Sequence, residues 1–460
     1  MKEFLTSNKQ KYIFSHLAHH ADLTKVESSY FRVLPEGEKL PDENLPGIYF
    51  YLTESELDLR KVQFIDNIPV LFPLSNGKDW YHIKSNNLIF NHDILKSAFY
   101  LLSGYQETTT KDRDSLGRYP FVHSVQHQLN FTAKPLVNYY FDIIIRGLEE
   151  FCRINNIPFK RRNLFTKPVF FLSHDIDRIA KYSFRETAYK ILQLAGLKPS
   201  SFTPWQLIKL IPKYLLKFLF TSYDHDPYWS FNTMLKDERK LNIRSTWYFL
   251  EKDGRNTNSR YQFSDHRIKK LIQFLQEEGC EIGLHGTVQS MNNLSFMEKT
   301  LNNLQLAANN QVIGIRQHML FMQYPDTLHI QEQAGLKYDT TMTFADHEGF
   351  RNSYCFPFKP YDFEKDKMMD IWEIPLVVMD GTLFFYRKLK FSEMNSVIDE
   401  LINEVSIFGG IFSLLWHNCH FDEDEFPGIT NFYKELLNRI MNNDIQSLSG
   451  REIYQKINAW

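Results

Sequence analysis

Cysteine is scarce in this chain. Only Cys152, Cys280, Cys355 and Cys419 occur in 460 residues, and no two of them form a C-x-x-C pair. That spacing argues against a dense disulfide framework and against a zinc ribbon, and it fits a reducing compartment. An excess of charge of one sign is also lacking. Lys and Arg number 53 against 55 Asp and Glu, a formal net charge of −2. Composition therefore offers no case for a nucleic-acid partner. No run of about 18 apolar residues occurs, so no transmembrane helix is expected. The stretch Met1–Leu17 has no apolar core of the signal-peptide kind, and the expected localisation is the cytoplasm.

What is present is ordinary for a globular protein, except for its aromatics. Hydrophobic residues make up 43% and charged ones 23%, while aromatics reach 15%, led by 39 Phe and 24 Tyr. Such a share suits dense cores or a sugar-binding surface. The length calls for more than one core, and two domains are the natural expectation. Residues 1–165 read as a smaller α+β domain of unknown role. Strands are expected at 46–52 and 70–73 and helices at 93–102 and 135–155. The basic segment Lys160–Arg162 is a plausible linker.

Residues 166–460 read as repeated βα units. Strand-like runs at 168–177, 245–250, 281–285, 312–318, 338–342, 372–379 and 410–417 alternate with helical ones. That order predicts a parallel sheet closed, or nearly closed, into a barrel. A helical segment at about 180–228 interrupts it. Within that segment, 204–220 is apolar and basic, with Lys209, Lys213 and Lys217 four apart. It fits either a helix packed on the barrel with its lysines in water, the commoner outcome, or an interfacial helix touching anionic membrane or a lipid-linked substrate. Pro212 is expected to break it.

Polar residues gather where the apolar strands end. The first strand ends in His174, Asp175, Ile176 and Asp177, the third in His285, the fourth in Arg316 and His318, and the last in His417. Asp175 and Asp177 lie two apart, so they project to one side of an extended chain. Two carboxylates there are costly to keep ionised together unless a cation sits between them, although a helix-capping Asp is an equally common occupant of such a position. In a barrel all four strand ends face one mouth. Asp, His and His suit zinc and similar divalent metals.

The order Ser173-His-Asp-Ile-Asp177, then Gly283-Leu-His285, then Gly314-Ile-Arg316, then Leu414-Leu-Trp-His417 resembles the polysaccharide deacetylases with a NodB-type domain, carbohydrate esterase family 4. The resemblance covers about 168–458, and residues 1–165 look like the extra N-terminal domain of a bacterial branch. It implies a distorted (β/α)7 barrel and a hydrolase that removes acetyl groups from a glycan or glycan precursor, acting on carbon–nitrogen bonds in surface polysaccharide metabolism. It implies a divalent metal, zinc first. By motif it implies Asp175 as base, Arg316 as the residue that orients that base, His417 as general acid, and Asp177 and His285 as metal ligands. The family's second motif has two His four apart. Here those positions hold His285 and Gln289, so His318 becomes the candidate third ligand, with Asn292 and Asn293 behind it. Asp380 and Asp339 are candidate supporting carboxylates. Trp416, Tyr248 and Trp372 are candidates for stacking on sugar rings, or core residues.

Two other functions remain open at this level. One is an amide hydrolase on the same barrel, with altered metal use or none, in keeping with Gln289. The other is a non-catalytic glycan-binding module.

Overall fold

Val169–Ile176 (β1) is apolar along most of its length, and every residue in it is buried. A strand of that kind needs cover on both sides, which parallel neighbours and their crossover helices supply. The computed structural model describes residues 5–40, 45–74, 77–198, 203–220, 222–253 and 259–459. In it β1 lies inside a nine-stranded sheet. The other strands, in chain order, are Ser245–Leu250 (β2), Glu281–Gly286 (β3), Gly314–Gln317 (β4), Tyr338–Asp339 (β5), Trp372–Glu373 (β6), Val378–Met379 (β7), Ile411–Leu415 (β8) and Gln446–Ser447 (β9). Their order across the sheet is β6-β5-β4-β3-β2-β1-β8-β7, with β9 added on β1, and every pairing is parallel.

The two edges of this curled sheet belong to one segment. β6 pairs with β5 and β7 pairs with β8, and only Ile374–Val377 separate them. Residues 372–379 are therefore not the single strand expected from the sequence. Pro375 has no N–H to give to a ladder. The Ser413 hydroxyl stands in for the missing pairing: it donates to the Pro375 carbonyl oxygen (2.6 Å) and accepts from Val377 N–H (2.8 Å). The sheet thus curls round to meet itself through a side chain.

In the N-terminal part, a four-stranded sheet runs in the order Phe31–Pro35, Ile48–Leu52, Asn87–Phe90, Tyr81–Lys84. The helices Ile94–Leu102 and Leu136–Ile154 pack on it, and Asp93 caps the first by accepting from Lys96 N–H (2.9 Å). The expected strand at 70–73 lies slightly earlier, at Ile68–Val70. Buried apolar side chains run without a break from Leu5 to Ile457. Glu107 takes a two-pronged ion pair from Arg351 (2.8 and 2.6 Å), and Asn138 accepts from Cys355 N–H (3.0 Å). The four cysteines are unpaired.

After β1 come the helices Phe184–Leu194 and Pro204–Phe220, packed on each other. The second runs through Pro212 without ending, contrary to the sequence expectation. Proline removes one intrahelical bond, and packing against the first helix holds the remainder. No described helix is long and apolar enough to cross a membrane.

Candidate metal centre and its surroundings

Parallel pairing sets the strand ends side by side. Asp175 on β1 lies opposite Tyr248 on β2, and Arg316 on β4 lies opposite His285 on β3. Close packing between strands depends on glycine here. A Cβ at Gly283 would come within 2.4 Å of the Tyr248 ring, and one at Gly314 within 2.1 Å of the Tyr338 ring.

Asp177, His285 and His318 converge, with one potential ligand atom from each lying within 4.8 Å of the others. His285 Nε2 is 3.3 Å from Asp177 Oδ1, and His318 Nε2 is 3.6 Å from Asp177 Oδ2. Zinc bonds of about 2.0–2.1 Å in a tetrahedron put ligand atoms roughly 3.3–3.5 Å apart, and each imidazole stands near that distance from Asp177, through a different carboxylate oxygen. The hydrogen bonding agrees. His285 Nδ1–H donates to the Arg316 carbonyl oxygen (2.8 Å), so Nε2 is the nitrogen turned towards Asp177. Asp177 Oδ1 is buried and accepts no hydrogen bond. A buried carboxylate oxygen needs a cation or a protonated imidazole opposite it, and a metal ion here would take the place of the imidazole protons. Burial by itself would raise the Asp177 carboxyl, but His318 and His285 hold it well below the usual range.

The four candidates for a third ligand stand in different places. Gln289 stands exposed in a turn, Asn292 is exposed, and Asn293 caps a helix by accepting from Phe296 N–H (3.0 Å). His318 is the one that faces Asp177. It is followed by Met319 and Leu320, both in the left-handed region (φ 59° and 56°). Two non-glycine residues in that region are rare and must be held by their surroundings. One holder comes from the N-terminal part: Arg118 donates to the Met319 carbonyl oxygen (3.0 Å) and to the Tyr386 hydroxyl (3.0 Å).

Beside the triad lies a buried ion pair. Arg316 is fully buried and all its polar edges are engaged. It donates to Asp175 Oδ1 (2.8 Å), to Ser173 Oγ (2.9 Å) and to the Thr340 carbonyl oxygen (3.1 Å). Its guanidinium lies over the Tyr248 ring at 4.6 Å. Asp175 Oδ2 turns towards His285 Nε2 at 3.5 Å. His174, between these residues in sequence, faces the other way, with Nδ1 on the Trp416 carbonyl oxygen (2.9 Å) and Nε2 near Glu238 (3.2 Å).

On the other flank Asp380 receives two imidazoles. His417 Nδ1–H donates to Oδ1 (2.7 Å) and His420 Nδ1–H to Oδ2 (2.6 Å). Burial would lower the His417 pKa, but Asp380 and the charges of Asp177 and Asp175 outweigh it and raise it to about 9. His417 is therefore an imidazolium at neutral pH, in the field of the triad. His420 was missed from the sequence; its signal was the spacing His417-Asn-Cys-His420, one turn apart. Asp339 does not reach the site directly. It is buried, accepts from Gln331 (3.0 Å) and from Thr341 N–H (2.8 Å), and steadies the turn after β5.

The three aromatic candidates are corrected by their burial. Trp416 and Tyr248 are fully buried and Trp372 nearly so, and none can stack on a sugar. Trp416, just past the end of β8 and one residue before His417, packs against Phe384 and Tyr433. Tyr248 is the platform under Arg316. Trp372 lies at a strand start and packs against His19.

A model described as a family of unknown function, DUF7033, matches residues 5–153. No curated protein matches the chain by sequence. Among solved structures, the chain is similar to PuuE allantoinase, at 13% identity over 64% of this chain and 92% of that one, with a TM-score of 0.41. It is similar to a CE4 family pseudoenzyme from Bacillus anthracis, at 9% identity over 63% and 66%, with a TM-score of 0.32. It is also similar to a family 4 carbohydrate esterase from Streptomyces lividans in complex with acetate, at 10% identity over 61% and 91%, with a TM-score of 0.30.

Proposed function

We propose that this chain is a metal-dependent hydrolase of the carbohydrate esterase family 4 kind, which removes acetyl groups from a glycan or glycan precursor. One observation carries the reading: Asp177, His285 and His318 converge beside an Arg-held carboxylate, Asp175, and an Asp-held imidazolium, His417, on which Asp177 and Asp175 both act. The triad would hold the metal. A divalent ion there supplies Lewis acidity towards the acetyl carbonyl and acidifies a water.

The remaining chemistry belongs to the side chains. Arg316 occupies one oxygen of Asp175 and fixes its plane, so Oδ2 is the oxygen that accepts the water proton. His417 Nδ1–H is tied to Asp380, so Nε2 is the nitrogen that donates a proton to the departing amine or alkoxide. His417 is held as the cation that a general acid must be.

The test is acetate release from acetylated chito-oligosaccharide and acetylated xylan by zinc-loaded protein. Asp175→Asn should abolish release with zinc still bound, whereas Asp177→Ala should lose zinc as well. If no acetylated sugar turns over but a small cyclic amide does, the site belongs to an amide hydrolase instead. Binding of glycan without turnover of either substrate would favour a non-catalytic module.

A further inference from the structure

Among the described residues, 23 large apolar side chains stand exposed, and 13 of these lie between Phe184 and Phe220. Single exposed apolar residues need no explanation, but a concentration like this marks an interaction surface. Phe184 is 73% exposed, Trp205 75% and Phe220 81%. On Pro204–Phe220 the exposed residues follow a helical period. Trp205, Ile208, Leu215 and Leu219 are spaced by three, seven and four and share one face, while Leu207 and Tyr214 point inward. Charge marks the same stretch. Residues 184–220 contain six basic side chains against Glu186 alone, a net charge of +5 in a chain whose total is −2. Lys213 is held by Asp424 (2.6 Å), but Lys209 and Lys217, one turn to either side, are exposed.

We propose that these two helices dock on the surface of an anionic lipid bilayer, with the apolar stripe in the acyl boundary and Lys209 and Lys217 among the headgroups. An apolar stripe with a lysine border and a tryptophan is the pattern of a helix that lies in the membrane interface. Spanning is ruled out for the described helices by length and apolarity. A two-fold contact with a second copy would set two +5 surfaces against each other. The helices spring from the mouth of the site. Phe184 is seven residues beyond Asp177, and the hairpin is tied to the loop after His420 by Lys181 to Asp422, Tyr182 to Asp424 and Lys213 to Asp424. Docking therefore sets the site at the bilayer surface, and its substrate is an acetylated glycan carried on a lipid; this last step rests on the deacetylase reading.

The experiment is co-sedimentation of the full chain with vesicles of phosphatidylcholine alone and with phosphatidylglycerol added, read beside acetate release from a soluble acetylated oligosaccharide. The expected result is binding only to the anionic vesicles. Lys209→Gln with Lys217→Gln should weaken it about tenfold, as should high salt. Ile208→Ser with Leu219→Ser should abolish it, and every variant should keep its circular dichroism and its soluble-substrate rate. The proposal is overturned if neither vesicle binds, if the variants bind as wild type does, or if the serine variants turn a dimer into a monomer. Vesicle binding in a protein that deacetylates nothing would support the surface and remove the deacetylase reading.

Discussion

Arg316 reaches Asp175 from a strand three positions away in the sheet, at 2.8 Å, with its guanidinium closed off from solvent. A pair buried this deeply is more sensitive to losing one partner than to losing both, because the survivor is left as an uncompensated charge. Asp175→Ala should destabilise the fold by about 3–5 kcal/mol in urea unfolding. Asp175→Asn, which can still accept from Arg316, should cost clearly less. Equal costs would mean that the pair does not hold the strand ends together.

Tyr248 supports Arg316, and Gly283 leaves room for Tyr248. Gly283→Ala should displace that ring and cost roughly 1–3 kcal/mol, the usual penalty of overpacking. Turnover should fall with little change in zinc affinity, since Gly283 touches no ligand. Zinc titration beside a rate assay separates the two effects.

Arg118 belongs to the N-terminal part yet holds the left-handed backbone that follows His318. Removing a residue that positions a metal ligand typically costs about 10–100-fold in affinity. Arg118→Ala should weaken zinc by that order in chelator competition and leave the melting curve of the metal-free protein near wild type. An unchanged zinc affinity would detach the N-terminal part from the site.

Asp380 raises His417 from an ordinary value of 6.5 to about 9, so it favours the charged form in the fold. The sign is that of a raised histidine. The contribution to stability is fully present below about pH 6.5 and disappears as pH rises through about 9. In zinc-free Asp380→Asn, histidine NMR should show His417 titrating well below 9. The stability gap from wild type should close above that pH.

Much of this site was legible in the sequence because parallel strands are buried runs that end abruptly. Asp175, His285, Arg316 and His417 each stand where such a run stops. The curled parallel sheet followed from the βα alternation, though not the break at Pro375, which a serine hydroxyl from the next strand bridges. The aromatic candidates failed on direction. Trp416 follows the last strand residue and is buried among Phe384 and Tyr433, not turned to the site. Tyr248 was in the right place but beneath the site. What could not be read was anything set by distant chain. Arg118 meets Met319 across 201 residues, and His420 joins Asp380 across 40.

We propose that His318, and not Gln289, completes the metal centre. Zinc titration by calorimetry on wild type, His318→Ala and Gln289→Ala tests it most directly. Wild type should bind one zinc tightly, Gln289→Ala the same, and His318→Ala should lose tight binding. Tight zinc retained by His318→Ala, or lost on changing Gln289, would contradict it.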